Sequence, residues 1–198
     1  MILESEWSSL MSVAVGAVSL TPSDELREKT VRSLYRGIAH VWQFGQKLKA
    51  DPTEVQCFIG MIALKVTEDL LEPEQSLYRD WDNSHIYPRQ VLPGAIKKTH
   101  REFCEVLVEK LFNPQVDQIA LAAWVEREID WHINPFRLEC STVAKLTAAW
   151  VLLRISVRPA RFHSRKEYYA KMDAGWEEWL HYYRAHIIDT VPYTLAAE

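Results

Sequence analysis

The sequence predicts an all-α fold, a bundle of helices, from three observations. Apolar residues recur at helical spacing through most of the chain. Glycine is scarce, six in 198 residues, while Leu, Ala, Glu and Lys, all good helix formers, are frequent. The periodic segments are framed by helix start signals and by Asn or Pro stops.

Each element has its own reason. Thr21-Pro22-Ser23-Asp24-Glu25 offers a capping hydroxyl, a Pro for the first turn and acids for the positive helix end. Leu26, Val31, Leu34, Ile38, Val41, Trp42 and Phe44 then follow a helical period. Asp51-Pro52-Thr53-Glu54 repeats the start, with Glu54 at the capping-box position, ahead of Phe58, Met61, Ile62, Leu64 and Val66. From Glu72 to Pro93 the period is broken by Pro73, Asp80, Asp82, Asn83 and Pro88, and Ser84-His85-Ile86-Tyr87 reads as a short edge strand. Helical spacing returns at Gly94, runs through Ile96, Phe103, Val106, Leu107 and Leu111, and stops at Asn113-Pro114. A helix from about Val116 to Trp131 follows. The next, about Ser141 to Ile155, is apolar nearly all round, so it belongs in the middle of the bundle. Arg158-Pro159-Ala160-Arg161 is a connection to a final helix, about Arg165 to Ile187, rich in Trp and Tyr. No stretch reads as an interdomain linker, so residues 1–198 are expected to form one domain.

Composition narrows the function. The formal charge of −4 carries no global basic field, which argues against a nucleic-acid partner. Cys57, Cys104 and Cys140 are odd in number and lack CxxC spacing, which favours reduced thiols and a cytoplasmic setting. Glu4 and Glu6 stand where a secretory leader would be basic, and the apolar run Met11 to Leu20 is too short to span a membrane.

The most informative stretch is His132-Ile133-Asn134-Pro135-Phe136-Arg137-Leu138-Glu139-Cys140-Ser141-Thr142-Val143-Ala144-Lys145. With its flanks it resembles the Fic/Doc family. That family has a hairpin flap, a helix pair, a loop His-Pro-Phe-x-Asp/Glu-Gly-Asn-Gly-Arg-x-x-Arg and a central helix. Pro135 and Phe136 match its Pro and Phe, and Trp131-His132-Ile133 matches the apolar lead-in. Arg154 falls where an Arg often closes the central helix. Arg165 to Tyr169 and Trp176 to Trp179 resemble the following helix. The resemblance implies a Fic-like bundle, with helices over residues 1–80, a core over 81–190 and a short β-hairpin flap near 82–92. It also implies the family's activity, nucleotidyl transfer to a protein hydroxyl (AMPylation), with a nucleotide and Mg²⁺.

The departures cut against that activity. Asn134 replaces the catalytic His, and an amide cannot take a proton near neutral pH. Leu138 replaces the metal-binding acid, so Mg²⁺ loses its carboxylate. Glu139, Cys140 and Ser141 replace Gly-Asn-Gly, and Thr142 and Lys145 replace the two Arg. Without those glycines, backbone N–H groups approach a phosphate less easily. A residual phosphate or nucleotide site is expected at Ser141, Thr142 and Lys145, where the central helix begins.

Each candidate has a plain alternative. Asn134-Pro135 also serves as a simple helix stop. His132 is either a displaced base or a structural lead-in residue. Glu139 is either a substitute metal ligand or a solvated acid at a helix start. Cys140 is either a nucleophile or packing. The segment His85, Ile86 and Tyr87 is either a target-docking flap or a surface loop. Trp124, Trp131, Trp150, Trp176 and Trp179 are expected in the core or an interface. His181 and His186 lack metal-pair spacing, and no metal site is expected. The reading that follows is a catalytically degenerate binding or regulatory pseudoenzyme with a protein partner. The alternative is a non-standard transferase moving a nucleotidyl or other phosphate-containing group.

Overall fold

The computed structural model describes residues 24–82 and 90–187. Seven α-helices lie in this part: α1 (Asp24–Phe44), α2 (Pro52–Thr67), α3 (Ile96–Leu111), α4 (Gln118–Arg127), α5 (Cys140–Leu153), α6 (Arg165–Ala174) and α7 (Trp176–Ala185). Among the described residues, extended pairing is limited to two isolated antiparallel bridges, Tyr78 with Phe136 and Ala160 with Ile187. The predicted flap residues Ser84, His85, Ile86 and Tyr87 lie outside the described residues.

The start signal at Asp51 works as read, while Thr21-Pro22-Ser23 lies outside the described residues. Asp51 accepts from the Glu54 N–H (2.8 Å), and the Glu54 carboxylate accepts from the Lys49 N–H (3.2 Å), which starts α2. Asp117 caps α4 by accepting from Ile119 and Ala120. Ser164 caps α6 by accepting from Glu167.

α5 is the centre, as its all-round apolarity requires. It packs on α1, α2 and α4, and Val143, Ala144, Leu146, Ala148, Val151 and Leu152 are fully enclosed. Trp150 lies 2% exposed, and its indole N–H donates to the Gly45 carbonyl at 2.8 Å. Burying one such ring contributes ~4–6 kcal/mol of transfer free energy as an upper figure. The close approach depends on Gly45: a Cβ there would meet Trp150 Cδ1 at 2.6 Å. Gly37 likewise faces Val66 and Leu146, and Gly45 faces Phe58, so α1 and α2 run antiparallel.

Three boundaries differ from expectation. The last helix is two, because Gly175 at φ +128° breaks it, a backbone state that L side chains rarely adopt. The helix expected to reach Trp131 is α-helical only to Arg127 and continues as a π-helical turn, Glu128–Ile133. The central helix begins at Cys140, just before the expected start, and ends at Leu153. Trp131, Trp150 and Trp179 are buried, and Trp124 and Trp176 pack half-buried against the same core. All three cysteines are unpaired. No helix among the described residues is long and apolar enough to cross a membrane.

Candidate functional site

The segment around Asn134 to Glu139 forms the joint between the π-helical turn and α5. Asn134 is left-handed, φ 42° and ψ 62°, a conformation that Asn tolerates better than most residues. It is 7% exposed. Its N–H donates to Ile129 O (3.0 Å), and its side-chain amide donates to Asp130 O (3.0 Å). Asn134 thus closes the preceding turn, and its amide is held by backbone.

Residues 77–79 are stitched to this joint. Arg79 N donates to Pro135 O at 3.1 Å, and Arg137 N donates to Leu77 O at 2.9 Å, on either side of the Tyr78–Phe136 bridge. Arg79, 3% exposed, sends its guanidinium to four carbonyls: Asn134 (2.6 Å), Trp81 (2.8 Å), Ile133 (3.3 Å) and Val91. A planar fork of five donors suits such a cluster, and a Lys could not copy it. Burial lowers the Arg79 pKa from its ordinary value. Sequence reasoning missed Arg79, because it sits in the broken segment with no local pattern around it.

Other predicted residues are placed as follows. His132 Nδ1 lies 2.8 Å from Glu128 Oε1, both side chains about a quarter exposed, and its carbonyl accepts from Val91 N (3.1 Å). Among the described residues, that is the ring's hydrogen bond. Glu139 is left-handed at φ 57° and half-buried, and its carboxylate accepts from the Thr142 hydroxyl at 2.5 Å. Cys140 is buried, accepts from Phe136 N (3.2 Å), and has its thiol pKa pushed far up by burial. A thiol held protonated is a poor nucleophile. Leu138, where the resemblance expects a metal-binding acid, points to solvent at 37% exposure. Among the described residues no group of three His, Cys, Asp or Glu side chains is placed to hold a metal ion.

Ser141 and Lys145 face a second feature that the sequence did not announce. Glu126 and Asp130, one helical turn apart, are 2% and 1% exposed. The Tyr168 hydroxyl bridges them at 2.8 and 3.1 Å. Tyr183 also bonds Glu126, while Ser141 and Tyr169 bond Asp130. Lys145 Nζ donates to Ser141 Oγ (2.9 Å) and stands 4.7 Å from the Tyr168 ring centre. Burial raises the Glu126 pKa to about 7 and raises that of Asp130, while Lys145 pulls both down. The signal available in sequence was two acids at i and i+4 on an otherwise apolar stretch, and one Lys on an all-apolar helix.

Arg154, the helix-closing Arg, lies at the opposite end of α5. It stacks on Phe112 (4.8 Å) and borders a shallow cavity of about 380 Å³ with Leu111, Val116 and Ile155.

Solved structures with this architecture are Fic domains. IbpAFic2 covalently tethered to Cdc42 aligns with a TM-score of 0.65 at 14% identity, covering 91% of this chain and 61% of that one. Fic-1 (residues 134–508) from C. elegans aligns with a TM-score of 0.65 at 14% identity, covering 91% and 60%. The chain therefore has a Fic-like all-α fold, and it spans about three fifths of the length of these solved chains. No protein-family model and no curated relative matches the sequence.

Proposed function

We propose that this protein is a binding or regulatory pseudoenzyme on a Fic-like fold, one that engages a protein partner without nucleotidyl transfer. The observation that carries the reading is the state of Asn134. It is buried, left-handed and bonded through its amide to Asp130 O, so the position that needs a general base is a backbone joint. The metal-acid position is an exposed Leu138. The surface beside the joint suits a partner. Trp81 and Leu138 are each more than one third exposed, and Arg137 stacks on Trp81 (4.8 Å) while pairing with Asp80 (2.7 Å). Trp and Arg are favoured anchors at interfaces. A protein partner also fits a fold whose IbpAFic2 version has been tethered to Cdc42.

The second reading, a non-standard transferase, has one observation in its favour. His132 is oriented by Glu128 at 2.8 Å, the carboxylate–imidazole arrangement of a general base. The test is incubation with labelled ATP, GTP, UTP and CTP plus Mg²⁺, alone and with lysate. The pseudoenzyme reading expects no label on protein. Turnover that falls with His132→Ala or Glu139→Ala would overturn it and establish the transferase.

A further inference from the structure

We infer that the cavity at the C-terminal end of α5 docks a partner's peptide segment in which an acidic side chain stands beside an aliphatic or aromatic one, the carboxylate pairing with Arg154. The site lies at the far end of α5 from the Asn134 joint and owes nothing to the pseudoenzyme reading.

The cation is held in place and has no anion. The Arg154 guanidinium is 4.8 Å from the Phe112 ring centre and 5.9 Å from that of Trp150. The Trp150 ring is itself fixed by its bond to the Gly45 carbonyl. Aromatic faces attract a guanidinium and orient its plane, but they leave its in-plane N–H donors unused. Among the described residues, that guanidinium has no hydrogen bond and no ion pair. The carbonyls that end α5 do not call on it. Ile155 N and Val157 N donate to Leu152 O at 3.0 Å each, and Ser156 N donates to Leu153 O at 3.1 Å. Asp117, between the lining residues Val116 and Gln118 in sequence, is engaged elsewhere. It accepts from Arg184 (2.6 Å) and from the N–H groups of Ile119 (2.9 Å) and Ala120 (3.1 Å). Burial lowers the Arg154 pKa, as expected of a charge that has lost water without gaining a counter-ion.

The wall around this cation is apolar and open. The cavity holds about 380 Å³, with Leu111, Phe112, Val116 and Ile155 in its lining and no Asp or Glu among the described residues there. Phe112 and Ile155 remain 40% and 41% exposed. Large apolar side chains left open together mark a recognition surface. A shallow cavity receives side chains from an extended segment, whereas a small molecule is held by a deeper, more enclosing one. Charge decides which segment. A guanidinium fork takes a carboxylate bidentately, and an acid-free wall offers nothing to a basic segment. The apolar wall then receives the neighbouring aliphatic or aromatic side chain.

The experiment is an NMR titration of the full-length chain that follows the Arg154 Nε–H and the amides of Val116 and Ile155. The probes are hexapeptides, acetylated and amidated, that place Asp or Glu beside Leu, Ile, Val or Phe in either order in a Gly-Ser background. At least one is expected to bind with a Kd below about 1 mM and to shift these signals. Its counterpart with Asn or Gln in place of the acid should bind at least about tenfold more weakly, and so should the same peptide to Arg154→Gln, because a charged hydrogen-bonded pair is lost. Ile155→Glu, at an exposed position, supplies a carboxylate within the chain and is expected to abolish binding. It decides the matter if Arg154→Gln does not fold. No shift with any of the peptides overturns the inference. So does equal binding of the amide counterpart, or binding that survives either substitution in a folded protein. N-acetylleucine binding as tightly as the best peptide would overturn it as well, and would assign the cavity to a small free carboxylate.

Discussion

The motif joint is gripped from two sides by buried ionisable groups, and the two grips are built in opposite ways. On one side a cation, Arg79, is satisfied by four backbone carbonyls. On the other, two acids are satisfied by side-chain hydroxyls and by one ammonium across a ring. The Arg79 grip fixes the path of the chain, because carbonyls of the joint and of Trp81 and Val91 converge on one planar group. The acid grip fixes side chains, because its partners come from α5, α6 and α7. The carbonyls of the joint and the side chains at the start of α5 are thus engaged from within the fold.

The sharpest way to break this contrast is to remove Arg79. Arg79→Ala strips the carbonyls of residues 81, 91, 133 and 134 of a donor, and is expected to cost about 3–5 kcal/mol in chemical denaturation. Arg79→Lys should recover less than half, since three donors on one point cannot reach four spread carbonyls. Full recovery by Lys would show that charge alone, without geometry, holds the joint.

A fourth buried ionisable group lies beside the Arg79 side of the joint and sets up a pH test. His100 is fully enclosed, its Nδ1 paired with Tyr78 (3.1 Å), its Nε2 without a hydrogen-bond partner, its ring edge-on to Phe136. Burial lowers its pKa to about 4. Unfolded, it protonates near 6.5, so below that value the unfolded chain takes the proton more readily. The stability it contributes is complete above pH 6.5 and is lost as pH falls to 4, a loss of roughly 3 kcal/mol. Urea unfolding of the unaltered chain and His100→Gln across this window checks it: the variant should show the smaller decline.

Glu126 runs the other way. Its folded pKa of about 7 lies above the ordinary 4.5, so its contribution is complete below 4.5 and lost as pH rises through 7. Glu126→Gln should therefore be stabilised relative to the unaltered chain by roughly 2 kcal/mol more at pH 8 than at pH 5. A pH-independent difference would mean that Glu126 is ionised throughout. Smallest is the effect outside the joint: Gly175→Ala, at φ +128°, should cost about 1 kcal/mol in thermal unfolding by straining the α6–α7 break.

These features were unequally legible in the sequence. α2 could be read from Asp51-Pro52 and Glu54, and the place of α5 from its all-round apolarity, because both signals are local. The break at Gly175 was hidden, since the apolar period continues through Trp176, Trp179 and Tyr183 on either reading. The π-turn left no mark in the period of Ile129, Trp131 and Ile133. Asn134, standing where the resemblance expects a His, was plain in the sequence. What holds the joint was not, because Arg79 lies 55 residues away in sequence from the Asn134 carbonyl. Lys145 is read in sequence as part of a phosphate site. The two acids that the structure brings near it come from α4 and its extension, a proximity fixed only when α4 packs on α5.

The most direct test of the joint is amide hydrogen exchange by NMR at Arg79, Asn134, Arg137 and Val91, with and without ATP and Mg²⁺. The expected result is protection at all four amides comparable to that of the α5 core, unchanged by nucleotide. Fast exchange at Asn134 and Arg137 that slows on adding ATP and Mg²⁺ would contradict it, and would show a loop still waiting for its ligand.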